Sequence, residues 1–366
     1  MKTTQRRHPV ITRWSAMTPY GMGREAFADG VAGRRESVGV IDTERWRGPS
    51  RRAGLVPGFE VRDVLGKKGT RSMDRVTGLA VATVGDLLER DKEGDRVVAG
   101  AGTALVLGTT TGSAQSMMDF TRTSLTGEKP YHVDPALMPN AVMNCAAGQC
   151  AIWYQLKGPN TTLAGGRVAG LLALKYAGRL IASNRATTVL CGAAEEFSDS
   201  RAWLDWHARP ADAGTELGEG CGMLLLESAP ETRDPVRGQG EVLAVESRVC
   251  LAGDFAGALA GCLQDACDEA GVRAEDIWAI STSGVGGAIE AQEKGFLHAT
   301  FGPQTLSRIP DLSLIGDTGA ASGALQVAAL LSLGERDADS AGRVVAVSSV
   351  DRNGAVAVAL LRLLGA

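Results

Sequence analysis

Short, almost wholly apolar runs recur along this chain, separated by longer stretches whose apolar residues return every three and four positions. That alternation constrains the fold more than any other feature. A strand apolar on both faces must be covered on both, and intervening helices supply the cover. Strand-like runs are Val10 to Thr12, Ala104 to Gly108, Thr187 to Gly192, Met223 to Glu227, Ile277 to Ser281 and Val344 to Ser348. Helical periodicity marks Arg75 to Glu89, Val168 to Ser183, Gly257 to Ala270 and Ala320 to Leu333. The expected class is therefore α/β, with helices on both faces of a largely buried sheet.

From Ser228 to Gly240 the text becomes SAPETRDPVRGQG, rich in Pro, Gly and charge. It divides the chain into residues 1–230 and 231–366, the second half repeating the coarse order of the first in fewer residues. At 366 residues with 44% hydrophobic content, the chain can bury a sizeable core.

The 38 basic and 42 acidic residues leave a net charge of -4, which gives no basic surface for nucleic acid or an anionic membrane. The pair Arg6 and Arg7 is too short to alter that. No apolar stretch is long enough to span a bilayer, and MKTTQRRHPVITRW lacks the apolar segment of a signal peptide, so a cytoplasmic protein is expected. The seven cysteines sit mostly in apolar runs, as Cys191 and Cys221 do, and are expected to be reduced. Cys145 and Cys150 have no nearby histidine and make a poor zinc set, so no metal and no cofactor are expected.

Gly218 to Ser228 reads GEGCGMLLLES, glycines leading into a Met and Leu strand; physically this requires close backbone packing. Other segments follow a definite order: VITRWSAMTPYG near the start, LVLGTTTG at Leu105 to Gly112, MPN at Met138 to Asn140, LKGPNTTL at Leu156 to Leu163, and VLCGAAEE at Val189 to Glu196. SLIGDTGAASGALQVAALL lies in the second half. In this order the segments resemble those of β-ketoacyl synthases over nearly the whole chain, the first being similar to the signature GEGAGxLxLE. The resemblance implies a thiolase fold, a five-layered αβαβα body of two βαβαβαββ-type halves, with dimerisation through the first. Function has to be argued from the site.

Active members of that family carry a nucleophilic Cys at a helix start, where the helix N-terminus favours the thiolate. Counting from Gly158-Pro159 to Val189 and Cys191 places Arg167 there; the neighbours Gly166 and Val168 are equally inert, and no Cys lies between Cys150 and Cys191. The family's two histidines stabilise a developing enolate. In AISTSGVGGAIE the first is replaced by Ser283, with Glu290 as the later acidic residue, and the second by Asp317 after Gly316. The family lysine falls at Leu312. All four histidines, His8, His132, His207 and His298, lie outside these motifs. If Arg167 is buried it needs a counter-charge, and Asp317 would face it, so an ion pair plugging the former pocket is expected.

A fold without its catalytic set resembles the chain length factors of type II polyketide synthases, each of which pairs with an active ketosynthase. AQSMMDFTRTSL, Ala114 to Leu125, follows the form AQ-x-x-F-E-F-T-H-x-x-F of the aromatic-type members, whose interface helix ends the acyl tunnel. The resemblance puts Met118, Thr121 and Leu125 in the gate positions, and spacings of three and four put them on one helix face. The alternative for those three is an ordinary buried face. A methionine would make a soft stop, acting by volume in a dense interior.

Two departures stand out. Aromatic-type members often carry Gln where this chain has Arg167, and the stretch from Phe197 to Leu217 is short, which resembles members serving highly reducing, polyene-forming systems. The expected partners are a ketosynthase, the acyl carrier protein through the complex, and the growing polyketide. A thiolase-fold decarboxylase or acyltransferase with a different nucleophile, Cys145 being the candidate, is the competing reading, although MNCAAGQCAIW reads as a buried helix. An independent acyl-binding or scaffold homodimer is a third.

Overall fold

A computed structural model describes residues 8–88, 99–208, 215–228 and 238–365. Glu89, Arg6, Arg7, residues 209–214 of the shortened stretch and residues 229–237 of the Pro- and Gly-rich boundary lie outside them.

The first half begins with β1 (Val10–Thr18), β2 (Gly21–Met22), α1 (Arg24–Ala32), β3 (Gly39–Val40), β4 (Arg52–Ala53), α2 (Val61–Leu65) and α3 (Arg75–Leu88). It continues with β5 (Thr103–Thr109), α4 (Ala114–Thr126), α5 (Cys145–Tyr154), β6 (Asn160–Ala164), α6 (Ala169–Ala182), β7 (Thr188–Glu195), α7 (Asp199–Ala208) and β8 (Gly220–Glu227). The second half contains β9 (Gly240–Val249), α8 (Phe255–Ala270), β10 (Ile277–Ser281), α9 (Gly287–Ser307), α10 (Ser322–Arg336), β11 (Val344–Val350) and β12 (Ala355–Leu363).

The main strand order is β10-β11-β12-β9-β1-β8-β7-β5-β6. β5 runs parallel to β7, β7 antiparallel to β8, and β8 antiparallel to β1; β10, β11, β12 and β9 repeat those relations in the same sequence. Among the described strands, the two sets are joined where Val10 and Ile11 of β1 meet Glu241 and Gly240 of β9. α6 and α10 fill the space between the sets, packing Leu171, Leu174, Leu325 and Leu330 against residues of both. α3 and α5 cover the far face of the first set, and α8 and α9 that of the second. The result is the five-layered thiolase fold.

Each strand-like run lies on a strand, to within one residue, but the two-residue strands β2, β3 and β4 and three longer ones do not stand out in the sequence. β6 is the polar edge NTTLA, while β9 and β12 are longer and include charged residues that meet solvent at their ends. Close backbone packing in the GEGCG segment is real: a Cβ on Gly218 would lie 2.3 Å from the Ile315 carbonyl oxygen.

Candidate functional site

The loops that follow the parallel strands β5, β7, β10 and β11 meet the starts of α6 and α10, the usual place for a site in an α/β sheet. A turn through Gly166, φ +57°, brings the chain from β6 into α6. A Cβ at Gly166 would sit 2.2 Å from Asp351 Oδ2, so the turn needs glycine twice over. The next residue is Arg167.

Arg167 is buried, its side chain only 7% exposed. Its Nη1 donates to Asp317 Oδ1 and its Nη2 to the Ser283 carbonyl oxygen. Its backbone N–H donates to Asp351 Oδ2 at 2.8 Å, and its carbonyl accepts from Ser349 Oγ at 3.3 Å. The structure thus brings Arg167, Ser283 and Asp317 together from three distant parts of the chain. Leu312 is packed in the apolar core between the sheets instead.

Asp317 is the electrostatic centre of the group. Burial alone would raise its pKa, but Arg167, Arg201 and Arg352 together outweigh burial and lower it to about 2. Its Oδ1 also accepts the Gly319 N–H at 2.9 Å, and Arg352 Nη1 lies 3.8 Å from its Oδ2. Arg201 reaches from α7 to the carbonyl oxygens of Glu196, Gly218 and Asp317 at 2.8, 2.6 and 2.8 Å. Arg352 also pairs with Asp205 of α7 at 3.3 Å. The network therefore ties α7 to the pocket.

The acidic residue that governs Ser283 is Glu293, one helical turn beyond the Glu290 singled out from the sequence. Glu293 is fully buried and accepts the Ser283 N–H at 3.0 Å, the Ser283 hydroxyl, and Ser348 Oγ at 2.6 Å. Burial raises its pKa, and these hydrogen bonds oppose the rise. Glu290 instead accepts the Gly286 N–H at 2.6 Å and pairs with Lys294. Glu293 could have been found from its i, i+3 relation to Glu290. Arg201, Arg352 and Asp351 carry no comparable signal.

Histidine is absent from the contacts of Arg167, Ser283 and Asp317: His132 lies against Tyr131, and His207 stacks on Trp203. Cys145 opens α5, with its Sγ 3.3 Å from Asn140 Oδ1. Burial and the nearby Asp74 carboxylate push its thiol up to about 11, so the helix start does not make it a thiolate. Cys150 is fully buried and its pKa is also raised, chiefly by burial. Among the described residues no group of three or more His, Cys, Asp or Glu is placed to hold a metal.

α4 buries only Ala114. Met118, Thr121 and Leu125 share one face and are all exposed, Leu125 at 79%, so the reading of an ordinary face buried within this chain is overturned. Thr121 Oγ1 donates back to the Met117 carbonyl at 2.8 Å. Further exposed apolar side chains are Met138 and Met143, and Trp203 and Trp206 on α7. α4 also packs against α7, with the Ser200 N–H donating to Gln115 Oε1 at 3.1 Å. β6, the outermost strand of the first set, has β5 on one side and no described strand on the other. No helix among the described residues is long and apolar enough to cross a membrane.

Known proteins agree with this architecture. The structure of the ishigamide ketosynthase/chain length factor is 45% identical, with a TM-score of 0.93 over 98% of this chain and 100% of that chain. A type II polyketide synthase acyl-carrier protein in complex with its ketosynthase bound to the hexaketide is 19% identical, TM-score 0.77, and shares the fold. The 3-oxoacyl-[acyl-carrier-protein] synthase 2 of Rhizobium meliloti (strain 1021) is 27% identical over 365 residues, covering 87% of this chain and 84% of that protein. Residues 8–232 match the family described as beta-ketoacyl synthase, N-terminal domain, and on that match across more than half of its length the chain belongs to the β-ketoacyl synthase family.

Proposed function

We propose that this chain is a non-catalytic chain length factor, which pairs with an active ketosynthase and closes the end of the polyketide tunnel in a type II polyketide synthase. The observation that carries the reading is Arg167 locked onto Asp317. Likeness to a ketosynthase/chain length factor leaves open which of the two roles a chain has, and a guanidinium paired to a carboxylate leaves no nucleophile and no oxyanion donor pair for condensation. We take Arg167, Ser283, Leu312 and Asp317 as vacated catalytic positions on the same ground.

The partner would supply the thiol and both histidines, and acyl carrier protein would be engaged through the complex. Support for a partner comes from the exposed apolar side chains of α4 and α7 and from the edge of β6 that no described strand covers. We place the division between halves at residues 230 and 231, the highly reducing, polyene-forming kind of pathway on the short Phe197 to Leu217 stretch, and the protein in the cytoplasm, which suits its seven free cysteines.

The test is co-production with an intact ketosynthase followed by mass measurement of the purified complex. A one-to-one heterodimer is expected, and a stable homodimer that ignores the ketosynthase overturns the reading. Incubated alone with malonyl-acyl carrier protein, the chain is expected to release no carbon dioxide; turnover would instead favour the decarboxylase.

A further inference from the structure

We infer that Glu196 is a positioning residue for α4, fixing where the tunnel-end helix stands and so which chain lengths the complex makes. This rests on the reading of α4 as that wall. Only Ala114 of the thirteen residues of α4 is buried, and the helix otherwise rests on α7 and on the turn Pro135–Ala141. Its link to the buried helix α3 is polar and lies at its first turn.

Glu196 follows β7 and is 1% exposed. Its Oε1 accepts Ser113 Oγ at 3.1 Å and the Gln115 N–H at 3.3 Å, both at the start of α4. Its Oε2 accepts the Val76 N–H at 3.3 Å at the start of α3. A single carboxylate thus bridges two helix N-termini, where the N–H groups that lack helical partners favour a negative charge. α3 is the rigid member of the pair, with nine of its residues from Val76 to Val84 buried in succession against the first sheet. Glu196 therefore references the exposed helix to the buried one.

The groups facing this junction are Asp74, which precedes α3 and accepts from Ser116 Oγ at 3.4 Å, Glu195 on β7, Arg75 on α3, and Glu219 just before β8, already held by Arg75 at 2.5 and 2.6 Å; Arg201 on α7 lies 4.0 Å from Glu195. Burial first, then the Asp74 and Glu195 carboxylates, push Glu196 up to about 8 against its hydrogen bonds. The bridge therefore changes charge in the range where such complexes are assayed. Deprotonation strengthens all three donors' hold on it, while protonation weakens the hold on α4.

The test uses the assembled heterodimer carrying Glu196→Gln, which keeps the shape of the side chain and removes its charge, beside the unaltered complex and a Met118→Trp complex. Product lengths are measured from about pH 7 to about pH 9, spanning the titration of Glu196. The unaltered complex is expected to change its ratio of products across that range, and Glu196→Gln to give a flat ratio like that of the unaltered complex at low pH. Hydrogen exchange at one pH is expected to be about tenfold faster across Ala114–Thr126 in Glu196→Gln, with α3 unchanged. Should that variant fail to assemble, Ser113→Ala is expected to give the same local loosening, as it removes one of the bonds.

A Glu196→Gln complex with unaltered lengths, pH response and exchange overturns the inference. If Met118→Trp still shifts the products, the wall helix stands without this anchor; if neither variant shifts them, the wall helix itself is wrong.

Discussion

The Arg167 guanidinium and the Asp317 carboxylate, 150 residues apart in sequence, meet in a pocket where both side chains are 7% exposed. Their dependence on each other is unequal. Asp317 has two further arginines nearby, whereas Arg167 has no other carboxylate among its side-chain hydrogen bonds, and its Nε has no partner. Asp317→Ala should therefore strand a buried cation and cost about 3–5 kcal/mol. Arg167→Met should cost well under half of that, because Arg201 and Arg352 still neutralise the acid. Urea unfolding of both variants and of the double variant gives the coupling; equal losses for the two single variants would contradict this account.

The same pair sets an acid limit. Asp317 titrates in the folded chain at about 2 and in the unfolded chain near the ordinary 3.8. A lowered acid contributes stability above its unfolded pKa and loses it as pH falls through the folded value, so the loss should occupy the window from about pH 4 to about pH 2 and amount to about 2 kcal/mol. Unfolding midpoints measured down that window should fall less steeply in Asp317→Asn than in the native chain.

Much of this pocket was legible in the sequence, because Arg167 and Asp317 each lie in a motif whose neighbours fix their place. What could not be read is whatever depends on groups that converge only after folding. Glu293 is one of two acids on α9 until Ser348, 55 residues away, donates to it. Arg201 sits on a short polar helix with no mark of its three carbonyl acceptors. β6 was missed for a related reason: as an edge strand it has a partner on one side only, so NTTLA never needed the apolar run by which central strands announce themselves.

Gly166→Ala tests whether the turn into α6 is as constrained as its geometry implies. The residue has φ +57°, and an added methyl would meet the Asp351 carboxylate that holds the Arg167 N–H. Left-handed strain of about 1–2 kcal/mol adds to the collision, so the loss should exceed that figure. Circular dichroism melting should show a large drop in Tm; a change within error would mean that the loop moves aside freely.

Cys145 offers a check on the competing enzyme. With its thiol at about 11, roughly one molecule in a thousand carries the thiolate at pH 8. Iodoacetamide should alkylate it no faster than an ordinary surface cysteine, read by peptide mass spectrometry. Labelling within seconds at neutral pH would restore it as a nucleophile.

Met118→Trp addresses chain length itself. Met118 is 38% exposed in the single chain and lies on the α4 face with Thr121 and Leu125, so an indole can be accommodated there without disturbing this chain's own core. Stability of the isolated chain should stay within about 0.5 kcal/mol, as for other surface positions. On the proposed reading of α4 as the tunnel wall, the larger side chain takes volume from the tunnel end, where a dense wall cannot yield cheaply. Products should therefore shorten, by whole extension units since the chain grows in such steps, while the rate of the first condensation is kept. An unchanged product spectrum from a correctly assembled heterodimer would reject Met118 as part of the wall. Loss of all products together with loss of assembly would instead place it in the contact with the partner.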